Sequence, residues 1–275
     1  MMDFSNYLIV TDLDGTLFDS EQRVPERSLL AIDRFKKHGG RFTFATGRDK
    51  LFIDKRFYFL KSLVNAPVIT SNGAVIYDYS LDRMLLSVTF ERTFIKSLLE
   101  RVYSKIPTLP IEIYTLNGIY VINPNERLYR RFQKLSEHVT FCPNLTIPES
   151  DIIRVAIVDT DKERITEASD YIVKITQDIS VELVFSDWFI FEILPHGATK
   201  GNGVSKLRDI LGCVKVISAG DWDNDISQLK AADVSVCPSN ANENVKSFCK
   251  YVMCDHNYGL IADVVEYIEK GLFDI

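Results

Sequence analysis

Four histidines and two tryptophans are all this chain of 275 residues contains, and its five cysteines (Cys142, Cys213, Cys237, Cys249, Cys254) are odd in number and never spaced Cys-x-x-Cys. That pattern excludes a disulfide framework and a cysteine-based zinc site, and it suits a reduced compartment. No apolar run approaches the roughly 20 residues of a membrane span, and Met1–Ser5 lacks the basic and apolar regions of a signal peptide. The expectation is a cytoplasmic protein. An excess of positive charge is missing too: the formal charge is −6, which argues against a partner that is nucleic acid or an anionic membrane. If the ligand carries phosphate, positive charge must come from a few lysines or arginines or from a bound cation. His38, His138, His196 and His256 are scattered without a serine or cysteine partner pattern, so they read as surface or structural residues.

With 46% hydrophobic and 25% charged residues, the composition is that of one large or two modest globular domains. Tyr7–Thr11 is a short, β-branched apolar run that stops abruptly at Asp12, as a buried parallel strand does. A helix opens at Pro25 and stops at Gly39, and a strand follows over Arg41–Ala45. The next units are a helix over 49–63, which contains the aromatic run Phe57–Tyr58–Phe59 expected to pack on the sheet, and a strand over 67–70. Such alternation implies right-handed parallel crossovers. After Gly73 the pattern changes to a hairpin, Val75–Tyr79 with Met84–Phe90. Helices over 93–105 and 163–178 then mix with short strands at Ile111–Thr115, Ile119–Ile122, 153–158 and 181–185. Trp188 and Phe189–Leu194 read as packing or hinge residues. From Lys200 the alternation returns, with strands expected at Val214–Ala219, Val234–Cys237 and Tyr251–Met253. The simplest architecture is an α/β core made from both ends of the chain, 1–84 and 189–275, with an α+β domain inserted over 85–188.

In an open parallel sheet, ligands bind beyond the carboxyl ends of the strands. Polar residues collect there: Asp12 and Asp14, then Thr46-Gly47-Arg48, Ser71-Asn72, Gly220-Asp221 with Asn224 and Asp225, and Asn240. In an extended segment residues i and i+2 face the same side, so Asp12 and Asp14 can address one atom. Each piece also has a plainer reading. Asp-x-Asp-Gly-Thr could be a solvated turn, Thr46-Gly47 a helix cap, Asn72-Gly73 a turn pair, and Lys200 a solvated lysine entering a helix. Asp221, Asp223 and Asp225 could mark a helix start or a calcium loop, but the glutamate a calcium loop requires is missing.

Taken in order, Asp12-Leu13-Asp14-Gly15-Thr16, Ala45-Thr46-Gly47-Arg48, Ser71-Asn72-Gly73-Ala74, Thr199-Lys200-Gly201 and Gly220-Asp221-x-x-Asn224-Asp225 resemble the motifs of the haloacid-dehalogenase-like hydrolases. The middle insertion is similar to the large α/β cap of the Cof-type branch. The resemblance implies a Rossmann-like parallel-sheet core with an inserted α+β cap. It further implies a magnesium-dependent phosphatase acting on phosphate monoesters of small metabolites, sugar phosphates foremost, as a monomer or small homo-oligomer. By the same resemblance Asp12 is the nucleophile that becomes an aspartyl-phosphate, and Asp14 is the acid and base for leaving group and water. Magnesium would be held by Asp12, Asp221 and the Asp14 backbone carbonyl, with Asp225 one step removed. Thr46 and Lys200 would bind phosphate and balance its charge, assisted by the backbone at Leu13 and by Asn224. Gly47, Arg48, Asn72 and Asn240 would line the substrate site. A sugar phosphomutase could use the same aspartates, and a sensor that binds without turnover is the non-enzymatic alternative. Cys237-Pro238-Ser239-Asn240-Ala241 departs from the family's frequent Met-Gly-Asn-Ala, and Trp222 is bulky beside Asp221.

Overall fold

A computed structural model describes residues 3–212 and 215–273, so Cys213 and Val214, the expected start of a strand, lie outside the described residues. The chain forms two compact units, one of Met1–Arg48, Tyr58–Leu86 and Thr199–Ile275, the other of Asp49–Phe57 and Ser87–Ala198.

The first unit is built on a parallel sheet whose strands lie in the order Tyr251–Met253, Val234–Pro238, Lys215–Ala219, Tyr7–Thr11, Arg41–Phe44. The central strand explains the rest. Leu8, Ile9 and Val10 are fully buried and pair with Val216, Ile217 and Ser218 on one side and Arg41, Phe42 and Thr43 on the other. A strand covered on both faces is apolar throughout, which is why this run shows no alternation. A parallel bridge between Ala45 and Ile69 leads on to a second sheet, Val68–Thr70, Val75–Asp78 and Arg83–Ser87. Helix Glu26–Lys37 ends in three basic residues, Arg34, Lys36 and Lys37, which suit the negative end of its dipole. Helix Lys200–Leu211 is capped by the Thr199 hydroxyl and closed by left-handed Gly212.

The helix expected over 49–63 is in fact two short ones, Lys50–Arg56 and Leu60–Leu63. Three consecutive aromatics cannot share one face of a helix. The break at Phe57 resolves this by burying that ring and leaving Tyr58 and Phe59 exposed, so the expectation that all three pack inward fails for the last two.

The second unit is a six-stranded mixed sheet in the order Val181–Asp187, Ile190–Pro195, Ile152–Val158, Ile111–Thr115, Ile119–Ile122, Val139–Cys142. One face carries Ile111, Ile113, Val155, Ile157, Phe191 and Ile193, packed with residues of the helices Arg92–Lys105 and Lys162–Thr176. The register puts Glu112, Tyr114, Arg154 and Glu192 on the opposite face, all of them buried. Of the residues read as packing or hinge after Trp188, 190–194 belong to the strand Ile190–Pro195, where Phe191, Ile193 and Leu194 pack in the interior. Helix Glu126–Phe132 and strand Val139–Cys142 have no counterpart in the sequence reading.

Candidate active site

Every residue singled out for chemistry lies in the first unit. The Asp12 amide still donates to the Ala219 carbonyl at 2.8 Å, so the nucleophile candidate sits on the last rung of the sheet ladder. The chain then winds through a tight turn, Leu13–Leu17, closed by the Phe18 amide on the Leu13 carbonyl at 2.8 Å. Gly15 makes the turn possible: its φ is +76°, and a Cβ there would stand 2.5 Å from an Asp221 carboxylate oxygen. Gly73 answers the same demand at the third strand, where a Cβ would meet the Thr199 carbonyl oxygen at 2.1 Å.

Lys200 is the centre of the arrangement. Its side chain is only 1% exposed, and its Nζ donates to Asp12 Oδ1 at 2.6 Å and Asp225 Oδ1 at 2.5 Å. Burial works against its charge, yet the adjoining Asp12 and Asp225 carboxylates hold Lys200 above the ordinary lysine value. Asp225 is fully engaged: Oδ1 also accepts from Gln228 Nε2 at 2.9 Å, while Oδ2 accepts from the amides of Asp221 and Trp222 at 2.9 and 3.0 Å. It therefore fixes both the lysine and the backbone that carries Asp221. Thr16 Oγ1 donates to Asp221 Oδ1 at 2.6 Å.

Ligand atoms of Asp12, Asp221 and Asp225 lie within 4.8 Å of one another. Burial, with Asp225 and other carboxylates adding to it, pushes Asp12 up to about 7 and Asp221 up to about 8, despite Lys200. Carboxylates so crowded favour a cation, and an all-oxygen donor set suits magnesium, so the residues fit that ion.

Asp14 points elsewhere. Its carboxylate, 48% exposed, accepts from Arg48 Nε at 2.7 Å and Arg48 Nη2 at 2.6 Å, a bidentate pair. The ends of the second and third strands are sewn together by backbone bonds, Ser71 to the Arg48 carbonyl and Asn72 to the Thr46 carbonyl, both at 3.0 Å. Thr46 Oγ1 accepts the Arg48 amide at 3.1 Å. Asn72 adopts φ +53° and accepts from Asn224 Nδ2 at 3.0 Å, and a Cβ on Gly47 would press on the Asn72 side chain at 3.2 Å. Asn240 Nδ2 donates to the Gly15 carbonyl at 2.9 Å, and Leu13 is buried beneath the turn. Thr16, Gln228 and His256 were not picked out by sequence reasoning. Thr16 stands inside the first motif, a signal that could have found it. Gln228 and His256 lie outside every motif.

The fold places the chain among the open α/β proteins whose ligands sit beyond the carboxyl ends of parallel strands. Comparison with known proteins makes this specific. A sequence model of the haloacid dehalogenase-like hydrolases matches residues 9–265, and the chain belongs to that family. A 5-amino-6-(5-phospho-D-ribitylamino)uracil phosphatase of Bacillus subtilis is 25% identical over 256 residues, 89% of this chain and 91% of that protein. Among solved structures, a haloacid dehalogenase-like hydrolase of B. subtilis superposes with a TM-score of 0.81 at 23% identity, covering 95% of this chain and 99% of the other. A sugar phosphatase of subclass IIB of the superfamily gives 0.80 at 23% identity, covering 95% and 98%. Among the described residues, no helix is long and apolar enough to cross a membrane.

Proposed function

We propose that this hydrolase removes phosphate from small phosphorylated metabolites, sugar phosphates foremost, with magnesium and by way of a phosphorylated Asp12. The observation that carries the reading is the buried Lys200 ammonium held between Asp12 and Asp225 beside Asp221. A lysine spent on burying itself among carboxylates has no evident structural return, whereas next to a nucleophile it offsets the charge of an incoming phosphate. The naming of a relative as a phosphatase acting on a phosphorylated ribityl compound agrees with it.

Asp12 would be held with one oxygen on Lys200 and the other turned to phosphorus. Asp221 and Asp12 would hold magnesium with the Asp14 carbonyl, and the ion, when bound, would neutralise the phosphate so that a carboxylate can approach it. Thr46 and the amides around Leu13 would hold phosphate oxygens. Asp14, once it turns from Arg48 to the ester oxygen, would protonate the leaving group and then draw a proton from the attacking water. Arg48, Asn72, Asn224, Asn240 and the space left by Gly47 would line the leaving-group side. The inserted segment would act as a cap on the core, admitting small substrates in the cytoplasm and excluding polymers.

The test is release of inorganic phosphate across a panel of sugar phosphates, nucleotides and cofactor phosphates. Turnover is expected with magnesium, to fall to background in excess chelator, and to recover poorly with calcium, which is larger and less octahedral. Turnover undiminished in chelator would overturn the metal role. Background rates on every substrate with magnesium would overturn the enzyme reading.

A further inference from the structure

Near the carboxyl end of the chain, a short turn touches the loop that carries Asp14 at two points directly and at a third through Asn240, and no role assigned above uses the turn. The His256 ring brings Nδ1 to 2.6 Å from the Phe18 carbonyl oxygen. A carbonyl only accepts, so Nδ1 carries the proton. Nε2 lies 3.2 Å from the Asn257 amide nitrogen and 3.9 Å from Asp255 Oδ1. The His256 backbone amide donates to Asn240 Oδ1 at 3.0 Å, and Asn240 in turn donates through Nδ2 to the Gly15 carbonyl at 2.9 Å. Asn257 Oδ1 accepts the Ser20 amide at 2.9 Å.

The three points fall at Gly15, inside the turn and at its φ of +76°, and at Phe18 and Ser20 just after it. Asp14 is the residue just before that glycine. The turn is itself anchored: Arg27 donates to the Tyr258 carbonyl at 2.9 Å and pairs with Asp263 at 2.6 Å, and Gly259 closes it in the left-handed region. His256 is well placed for such a duty, with a side chain 14% exposed and both ring nitrogens engaged.

We propose that His256 is a positioning residue for the reaction: with Asn240 and Asn257 it clasps residues 15–20 and so sets where Asp14 can reach. The proposal rests on the phosphatase reading. Asp12 hangs from the sheet ladder through its own amide and from Lys200, so it does not depend on the clasp. Loss of His256 should therefore harm both steps that need Asp14, protonation of the leaving group and deprotonation of water, and leave attack by Asp12 on an aryl ester nearly intact. That distinction separates positioning from general loss of structure, because an aryl phosphate departs with little protonation and a sugar phosphate does not.

The experiment compares wild type, His256→Ala and His256→Asn on p-nitrophenyl phosphate and on a sugar phosphate with magnesium, alongside hydrogen exchange of residues 13–20. For His256→Ala, kcat on the sugar phosphate should fall about 10- to 100-fold. On the aryl ester the first-turnover release of p-nitrophenol should slow less than about 3-fold, while steady turnover falls because water attack still needs Asp14, and exchange should quicken in 13–20 alone. His256→Asn keeps an N–H donor close to the Nδ1 position and should restore most of the sugar-phosphate rate. Equal slowing of the first turnover on both substrates, no loss on either, or failure of His256→Asn to restore activity while the protein stays folded would each overturn the proposal. Should His256→Ala not fold, His256→Asn and Asn257→Ala decide by the same ratio of first-turnover rates on the two substrates. A wild type inactive on both esters would sink the phosphatase reading instead, and the exchange pattern would still decide the clasp.

Discussion

Each of the two units buries a cluster of charge, and the two are built to different rules. In the first, the carboxylates of Asp12, Asp221 and Asp225 surround the single ammonium of Lys200. In the second, Arg131 pairs with Glu112 at 3.1 Å and Arg154 with Glu192 at 2.8 Å, and the Tyr114 hydroxyl donates to Glu112 at 2.5 Å beneath the Arg154 guanidinium, which lies 3.6 Å from its ring centre. Each arginine has a carboxylate of its own, with Asp49 as a third nearby, so the excess is one carboxylate where the first cluster has two. Burial opposes both arginines, but Glu112 beside Arg131 and Glu192 beside Arg154 hold them above the ordinary range. In the first unit burial, with neighbouring carboxylates adding to it, pushes Asp12 and Asp221 up toward neutrality. Burial of charge is common to both clusters, and the larger excess of one sign marks a place prepared for a ligand of opposite sign.

The comparison breaks most visibly at Asp12. Asp12→Asn removes one carboxylate of the unbalanced cluster and should lower turnover on every substrate by about four orders of magnitude, in the range seen when a nucleophile is lost. Its folding stability should hold or rise, since a crowded buried carboxylate is relieved. Phosphate release together with denaturant unfolding checks both halves. A variant with normal turnover would remove Asp12 as nucleophile.

In the more evenly matched cluster the same kind of change should have the reverse outcome. Glu192→Gln leaves Arg154 buried without its carboxylate and should cost about 3–5 kcal/mol of stability, seen as a lower denaturation midpoint at unchanged slope. Replacing both partners, Arg154→Met with Glu192→Leu, should recover much of that loss, because apolar groups of similar volume are tolerated where a lone charge is not. A loss under about 1 kcal/mol for Glu192→Gln would mean the pair is hydrated and the contrast with the first unit is false.

Legibility in the sequence followed the same division. The strand Tyr7–Thr11 and its acidic end could be read because a doubly covered strand has to be apolar and has to stop where the ligand side begins. Ile111–Thr115 and Ile119–Ile122 were read to the residue, yet Glu112 within the first was passed over. Nothing local distinguishes a glutamate aimed at solvent from one aimed at Arg131 from another part of the chain. The helix break at Phe57 was hidden for a related reason: propensity sums over a window, and burial of one ring among three decides it. Around the candidate site, residues within the motifs could be named, and Gln228 and His256 could not. Their roles depend on partners 3 and 238 residues away, and only the fold brings His256 to Phe18.

The smallest expected effect is on the pH dependence of stability, and it tests the imbalance without any substrate. Asp12 and Asp221 have folded values of about 7 and about 8 against an ordinary 3.8, so the folded state holds their protons more tightly than the unfolded chain does. A raised value contributes stability that is complete below the unfolded value, near pH 4, and is lost as pH climbs through the folded one. In chelator the melting temperature should therefore decline between pH 5 and 8.5, by about 2–8 °C for a chain of this size. Magnesium favours the ionised carboxylates, so its stabilising effect should grow across the same interval and cancel the decline. Asp221→Asn should flatten the slope in chelator and weaken the response to magnesium, whereas Glu192→Gln should lower the whole curve without changing its slope. Parallel curves for wild type and Asp221→Asn would show that the excess carboxylates are already relieved by water, and that the two buried clusters differ in composition but not in electrostatic strain.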